Sequence, residues 1–325
     1  MKRLSRHAAA LLLGLAPNAL FAAPQQTGAA TAELAVARDA GVSKTNVGTF
    51  TVVAISDGDF ALATDQLLVD WKPGEVSALL AGAAQPTIQP TSVNAYLIDT
   101  GAKRILVDTG SGTYFGPTLG NVLKRLSAAG YSPDTIDEVL ITHLHPDHVG
   151  GLSVDGRMAF PNAIVRLAGS EERFWLDKAN ARKVDASVQS SFDAAAASLA
   201  PYIAAGRVKT FRPGASIAPG VSAEALPGHT IGHTGYRVHS GTETMLIWGD
   251  VVHVALVQLK DPGITIKFDS VPGEARTSRD RVFAEAAQQR YLIAGAHLVF
   301  PGIGRLERGP EQWRWIPSTK LVAIP

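Results

Sequence analysis

The segment Thr142-His143-Leu144-His145-Pro146-Asp147-His148-Val149-Gly150-Gly151 gathers three imidazoles and a carboxylate at the end of an apolar run. Imidazole nitrogen and carboxylate oxygen are the donors that borderline divalent metals accept, and so dense a set in a Gly-bounded loop has ligand chemistry but no packing purpose. Side chains alternate along an extended chain, so His143 and His145 point the same way and can share one metal. Pro146 breaks a helix, which makes the segment a loop folding on itself. It carries Asp147 and His148 past a turn, where they can face a second metal. Gly150 and Gly151 then let the backbone leave at close quarters. The chain has no cysteine, which excludes thiolate ligands and a thiol nucleophile.

The elements that must position this loop follow from periodicity. Thr49 to Ile55 alternates as a strand, and Ala95 to Ile98 and Arg104 to Val107 flank the turn Asp99-Thr100-Gly101 as a hairpin. Leu119 to Ala129 has helical spacing, and Glu138 to Thr142 is a continuous apolar strand leading into the histidines. A strand at Ala163 to Leu167 precedes helices at Glu171 to Leu176 and Ser187 to Leu199. Strands at Ser222 to Leu226 and Met245 to Trp248 bracket a second histidine-bearing stretch, PGHTIGH. A helix over Arg276 to Leu292 and a strand at Leu298 to Phe300 complete the alternation. No internal repeat is visible, yet each half supplies strands first and helices after. The expectation is an α/β fold, an αββα sandwich of two mixed β-sheets flanked by helices.

The 325 residues, 46% hydrophobic and 18% charged, suit one large globular domain or two intimately packed halves, read here as residues 47–325. A formal net charge of +1 leaves no electrostatic footprint for nucleic acid and favours small, uncharged partners. Residues 1–23 combine basic Lys2, Arg3 and Arg6 with an apolar stretch and small residues at Ala22 and Ala23. They read as a signal peptide, for a periplasmic or secreted protein. Pro17 and Asn18 interrupt the apolar stretch too early for a stable membrane anchor. Residues 24–46, rich in Ala, Gln, Thr and Gly without a period, read as a flexible leader.

HLHPDH, followed in order by PGHTIGH, IWGD and a C-terminal His, resembles the HxHxDH signature and later landmarks of the metallo-β-lactamase superfamily. The likeness runs from about Thr49 to Ile303. Asp108-Thr109-Gly110, FGPTLG, FPNA, FWL and FPGIG resemble most the branch of methyl parathion hydrolase and its lactonase relatives. The resemblance implies one metal on His143, His145 and His229, another on Asp147, His148 and His297, and Asp250 bridging them. The local sequence agrees: His229 follows Pro227-Gly228 at a strand end, and Asp250 follows Gly249 after the strand to Trp248. A bridging carboxylate sets the chain apart from true β-lactamases. His233 reads as a neighbour supporting a ligand, and Asp108 as the group that orients a metal-bound imidazole. The resemblance further implies an aromatic rim of Phe115, Trp175 and Phe192, a binding wall with His253, Ile266 and Phe268, and a homodimer.

Two divalent ions, zinc by default with cobalt, manganese or iron tolerated, would generate a bridging hydroxide that attacks a carbonyl or phosphoryl centre. Asp250 or Asp147 could accept the released proton. The expectation is therefore an exported dinuclear metal-dependent hydrolase cleaving lactones or aryl esters. Hydrolysis of neutral phosphotriesters is the alternative, and a non-catalytic metal-binding protein the remote one.

Overall fold

The computed structural model describes residues 37, 39–69, 72–184, 186–319 and 322–323. The expected signal peptide and most of the expected leader lie outside them. Val42–Val47, placed by the sequence at the end of the leader and the start of the domain, is strand β1. Its inward positions include Ser43 and Thr45, buried hydroxyls where an apolar pattern would be looked for.

Eight strands form the first sheet: β1, β2 (Phe50–Ala63), β3 (Ile88–Asp99), β4 (Arg104–Val107), β5 (Glu138–Leu140), β6 (Ile164–Ala168), β7 (Val208–Phe211) and β15 (Val322–Ala323). Their spatial order is β7-β6-β5-β4-β3-β2-β1-β15. Pairing is parallel from β4 to β7 and antiparallel from β4 back to β15. The second sheet runs in chain order through β8 (Ser216–Ala218), β9 (Val221–Ala225), β10 (Thr234–Ser240), β11 (Glu243–Ile247), β12 (Leu292–Ala294), β13 (Ile303–Arg308) and β14 (Trp313–Pro317). It is also mixed, with β11 and β12 parallel.

Period-two alternation builds the layers. Val52, Ala54, Ile105 and Val107 face the second sheet, where they meet Tyr236, Val238, Met245 and Ile247. Their neighbours Val53, Ile55 and Leu106 face outward, against Val122 and Leu126 of α2 (Val122–Ala128) and Phe192 and Leu199 of α5 (Ala186–Ala204). On the far side, Leu246 and Ile293 pack on Val282 and Phe283 of α7 (Pro272–Gln289). The result is the expected αββα sandwich. Among the described residues no helix is long and apolar enough to cross a membrane.

Two local expectations fail. Leu298 to Phe300 is a turn, not a strand, because this segment must swing His297 inward. Its carbonyls are met by side chains: Asn94 donates to Gly295 and Leu298, and the Tyr96 hydroxyl to Gly295. Pro146 does not exclude a helix either. It sits at the first position of a single helical turn, α3 (Pro146–Val149), where its missing N–H costs nothing.

Candidate metal centre

The candidate centre lies where strand ends of both sheets deliver their loops. β4 ends in Asp108, held at φ 59°, a conformation that non-glycine residues adopt only when their surroundings enforce it. The surroundings are hydrogen bonds: Asp108 Oδ1 accepts the Thr142 N–H at 2.8 Å and Oδ2 accepts the Thr142 hydroxyl at 2.8 Å. His148 Nδ1 lies 2.9 Å from the same Oδ2, and His143 Nδ1 lies 3.0 Å from Thr142 Oγ1. Since the hydroxyl donates to Asp108, it accepts from His143. Both imidazoles thus carry their proton on Nδ1 and turn a bare Nε2 inward.

The other imidazoles are fixed likewise. His229 Nδ1–H donates to Asp269 Oδ1 at 2.9 Å, and His297 Nδ1–H to the Ser92 carbonyl at 2.9 Å. His145 differs, offering Nδ1, which lies 3.0 Å from both His143 Nε2 and His229 Nε2. Asp250 stands in the middle: Oδ2 is 2.9 Å from His297 Nε2 and 3.2 Å from His229 Nε2, while Oδ1 is 3.2 Å from His148 Nε2. Asp147 Oδ2 lies 3.5 Å from His148 Nε2 and 3.6 Å from His297 Nε2. Three donor groups result, His143–His145–His229–Asp250, Asp147–His148–His297 and Asp250–His253–His297, in each of which the donor atoms lie within 4.8 Å of one another.

These residues fit divalent cations. His145 Nδ1 lies 3.0 Å from both His143 Nε2 and His229 Nε2, and the single proton it can carry serves at most one of those two contacts. His148 Nε2 and Asp250 Oδ1, 3.2 Å apart, are both buried and make no well-aligned hydrogen bond with each other or with any other group, a cost a folded protein rarely tolerates. Charge agrees: Asp108, Asp147, Asp250, Asp269 and Glu171 surround the cluster, and Arg279, near Asp269, is the buried guanidinium that answers them. Burial pushes the His143 and His145 imidazoles well below their usual range. Burial also opposes charge on His229, but the Asp250 carboxylate outweighs it and pushes the group up to about 9. The carboxylates draw in positive charge, which cations would supply.

His233 is buried and touches the cluster through the backbone. Its Nε2 accepts the Asp250 N–H at 3.0 Å, so its Nδ1–H donates to the Leu226 carbonyl at 2.8 Å. Burial holds its pKa down to about 3, and it stays a neutral support. His253 belongs to the cluster itself, with Nε2 3.1 Å from Asp250 Oδ2 and its ring stacked on His297 at 4.9 Å. Phe268 is partly exposed, 6.2 Å from the His253 ring. Ile266, expected in the wall, is enclosed by Leu62, Leu68 and Val257, because it pairs with Leu68 in a two-stranded ladder. Trp175 and Phe192, expected in the aromatic rim, are buried against each other at 4.5 Å, and Trp175 meets the His145 ring edge-on at 5.3 Å. Phe115 is exposed on its loop.

Besides Asp108, two further carboxylates stand behind the ligands, and neither was expected from the sequence. Asp269 backs His229 and also accepts the Ile266 N–H at 3.1 Å. Glu171, fully buried on α4 (Gly169–Trp175), accepts the Leu144 N–H at 2.9 Å with one oxygen. Its other oxygen accepts the Thr230 hydroxyl at 2.9 Å and the Gly232 N–H at 2.8 Å. It thereby clamps the loop bearing His143 and His145 to the loop bearing His229. Neither carboxylate belongs to a motif or spacing visible in one dimension.

The family model of the metallo-beta-lactamase superfamily matches residues 88–297. The crystal structure of hydrolase AbOPH in the beta lactamase superfamily superposes with a TM-score of 0.81 at 36% identity, over 86% of this chain and 97% of that one. AidC, a dizinc quorum-quenching lactonase in complex with a product, shares the fold at a TM-score of 0.76 and 23% identity, over 86% and 97% of the two chains. The N-acyl homoserine lactonase AiiB of Agrobacterium fabrum is 28% identical over 136 residues, 36% of this chain and 44% of that protein. The chain spans less than half the length of the curated relatives it matches. With the family model covering well over half of its residues, and the sandwich and its histidine loops in place, the chain belongs to the metallo-beta-lactamase superfamily.

Proposed function

We propose that the protein is a dinuclear metal-dependent hydrolase of uncharged carboxylic esters, with lactones or aryl esters as substrates. The observation that carries this reading is the convergence of two largely buried donor groups, His143–His145–His229–Asp250 and Asp147–His148–His297, with Asp250 also 3.2 Å from His148 and 2.9 Å from His297. His143, His145 and His229 would hold one cation, Asp147, His148 and His297 the other, and Asp250 would reach both. Zinc suits this donor set, and cobalt, manganese or iron would tolerate it. Two bound cations supply an activated water at neutral pH and positive charge for the oxygen that becomes negative during attack.

The remaining work falls to side chains. Asp147, 17% exposed at its carboxylate, can receive the proton released on attack and pass it to solvent, whereas Asp250, at 2%, is enclosed and serves to hold the two halves together. His253, pointing Nε2 at Asp250 Oδ2, keeps that carboxylate aligned. The lactonases sharing the fold support an ester or lactone as the bond cleaved. The test is a panel of lactones, aryl esters and neutral phosphotriesters offered to the metal-loaded protein. A lactone or aryl ester should give the highest kcat/KM, and a protein active only on phosphotriesters, or inert, would refute the reading.

A further inference from the structure

On the aromatic side of the cluster, Trp175 and Phe192 are buried against each other, and Trp175 abuts His145. Space opens at the other end of the chain of imidazole rings. A cavity of about 410 Å³ has His253 and His297 in its lining. Its walls come from residues just past α1 (Glu75–Gly82), from the start of β3, from α6 (Ala255–Gln258) and from the turn that follows His297.

The chemistry of those walls is specific. Apart from the two imidazoles, none of the lining side chains is titratable. Val254, Leu256, Leu298 and Val299 supply aliphatic surface, and Gln85 and Gln89 supply neutral amides. Leu256 is 40% and Val299 62% exposed, two large aliphatic side chains left open to water at the cavity. Such exposure has a use when an apolar ligand covers it. The volume lies in the range of small-molecule pockets and holds roughly a dozen water-sized groups. A charged ligand arm would lose hydration there and find no counter-charge in the walls.

We propose that this cavity is the subsite for the non-reacting arm of the substrate, and that it selects an uncharged, predominantly aliphatic arm. The scissile carbonyl then lies against His253 and His297, and the arm runs outward between Leu256 and Val299. This rests on the reading of the cluster as an ester hydrolase, and it adds the class of substrate: esters with an extended neutral chain, in place of compact or anionic ones.

The experiment compares metal-loaded wild type, Val299→Trp, Leu256→Trp and the control Val154→Trp, an exposed position elsewhere on the surface. The probes are p-nitrophenyl acetate, p-nitrophenyl octanoate and an octanoate analogue ending in a carboxylate. A fully buried methylene gains about fourfold in binding, so the octanoate should exceed the acetate in kcat/KM by at least about tenfold in this open cavity. The carboxylate-ended ester should lose most of that gain. Val299→Trp and Leu256→Trp should flatten the chain-length dependence, and Val154→Trp should keep the wild-type ratio. A wild-type ratio near one, an undiminished ratio in both cavity variants, or equal rates for the charged ester would overturn the subsite. Calorimetric binding of N-octylacetamide, which is not cleaved under these conditions, separates the two readings. If wild type binds it and Val299→Trp does not, while no ester is hydrolysed, the subsite stands and the hydrolase reading falls. Absence of binding to wild type overturns the subsite whatever the rates.

Discussion

Asp108 governs two ligands from one position: directly through His148 Nδ1, and through the Thr142 hydroxyl to His143 Nδ1. An asparagine there has one acceptor oxygen for three donors and must turn its amino group on one of them. Asp108→Asn should therefore weaken zinc binding about 10–100-fold at both positions of the centre, whereas Asp269→Asn, which among the expected ligands hydrogen-bonds to His229 alone, should weaken one. Competition with a chromophoric chelator checks this, and wild-type affinities in Asp108→Asn would contradict it. At this scale the sequence was informative where chemistry is dense. HLHPDH is legible because no packing role explains it, and Asp108 because it ends a strand at a turn. Asp269 and Glu171 are silent because their partners lie 40 and 27 positions away. His253 looked like a wall residue because its spacing from Asp250 does not show that its ring turns inward.

Elements bring the ligand loops to one place, and two devices hold them there. The first is the Glu171 clamp between the loops of His143, His145 and His229. Glu171→Gln replaces an acceptor by an amide that faces a donor, at about 1–3 kcal/mol for a buried unsatisfied group. The melting temperature should fall by roughly 2–12 °C, read by scanning calorimetry, and an unchanged value would contradict the clamp. The second is Gly228, at φ 126°, where an added Cβ would lie 1.9 Å from the backbone nitrogen of Ala275 in α7. Gly228→Ala must push the His229 loop off that helix. It should cost more than about 3 kcal/mol and depress soluble yield, and a variant as stable as wild type would show the contact is not tight. Elements with apolar alternation were readable, as at Arg104–Val107, whose bounds match the expectation. β1 was not, since Ser43 and Thr45 fill its buried positions, and β13 escaped notice because Arg305 and Glu307 interrupt its apolar pattern.

Over the whole molecule, the two sheets meet through an apolar interface while their loop ends concentrate buried carboxylates and imidazoles. Bound cations would then be part of the stability of the fold. A ligand at a thousand times its Kd adds about 4 kcal/mol, so removing the metals should lower the melting temperature by about 8 °C or more. Calorimetry before and after chelation tests this, with zinc restoring the loss, and coincident curves would refute it. The layer order was legible because alternating strands and helices permit few arrangements, whereas the substrate side was not, because a cavity is a property of surfaces brought together from distant segments. The most direct measurement is elemental analysis of wild type and Asp250→Ala. Wild type should carry close to two metal ions per chain, and Asp250→Ala one or fewer, with most activity lost. A fully active wild type carrying at most one ion, or an Asp250→Ala variant that keeps two ions and wild-type turnover, would contradict this.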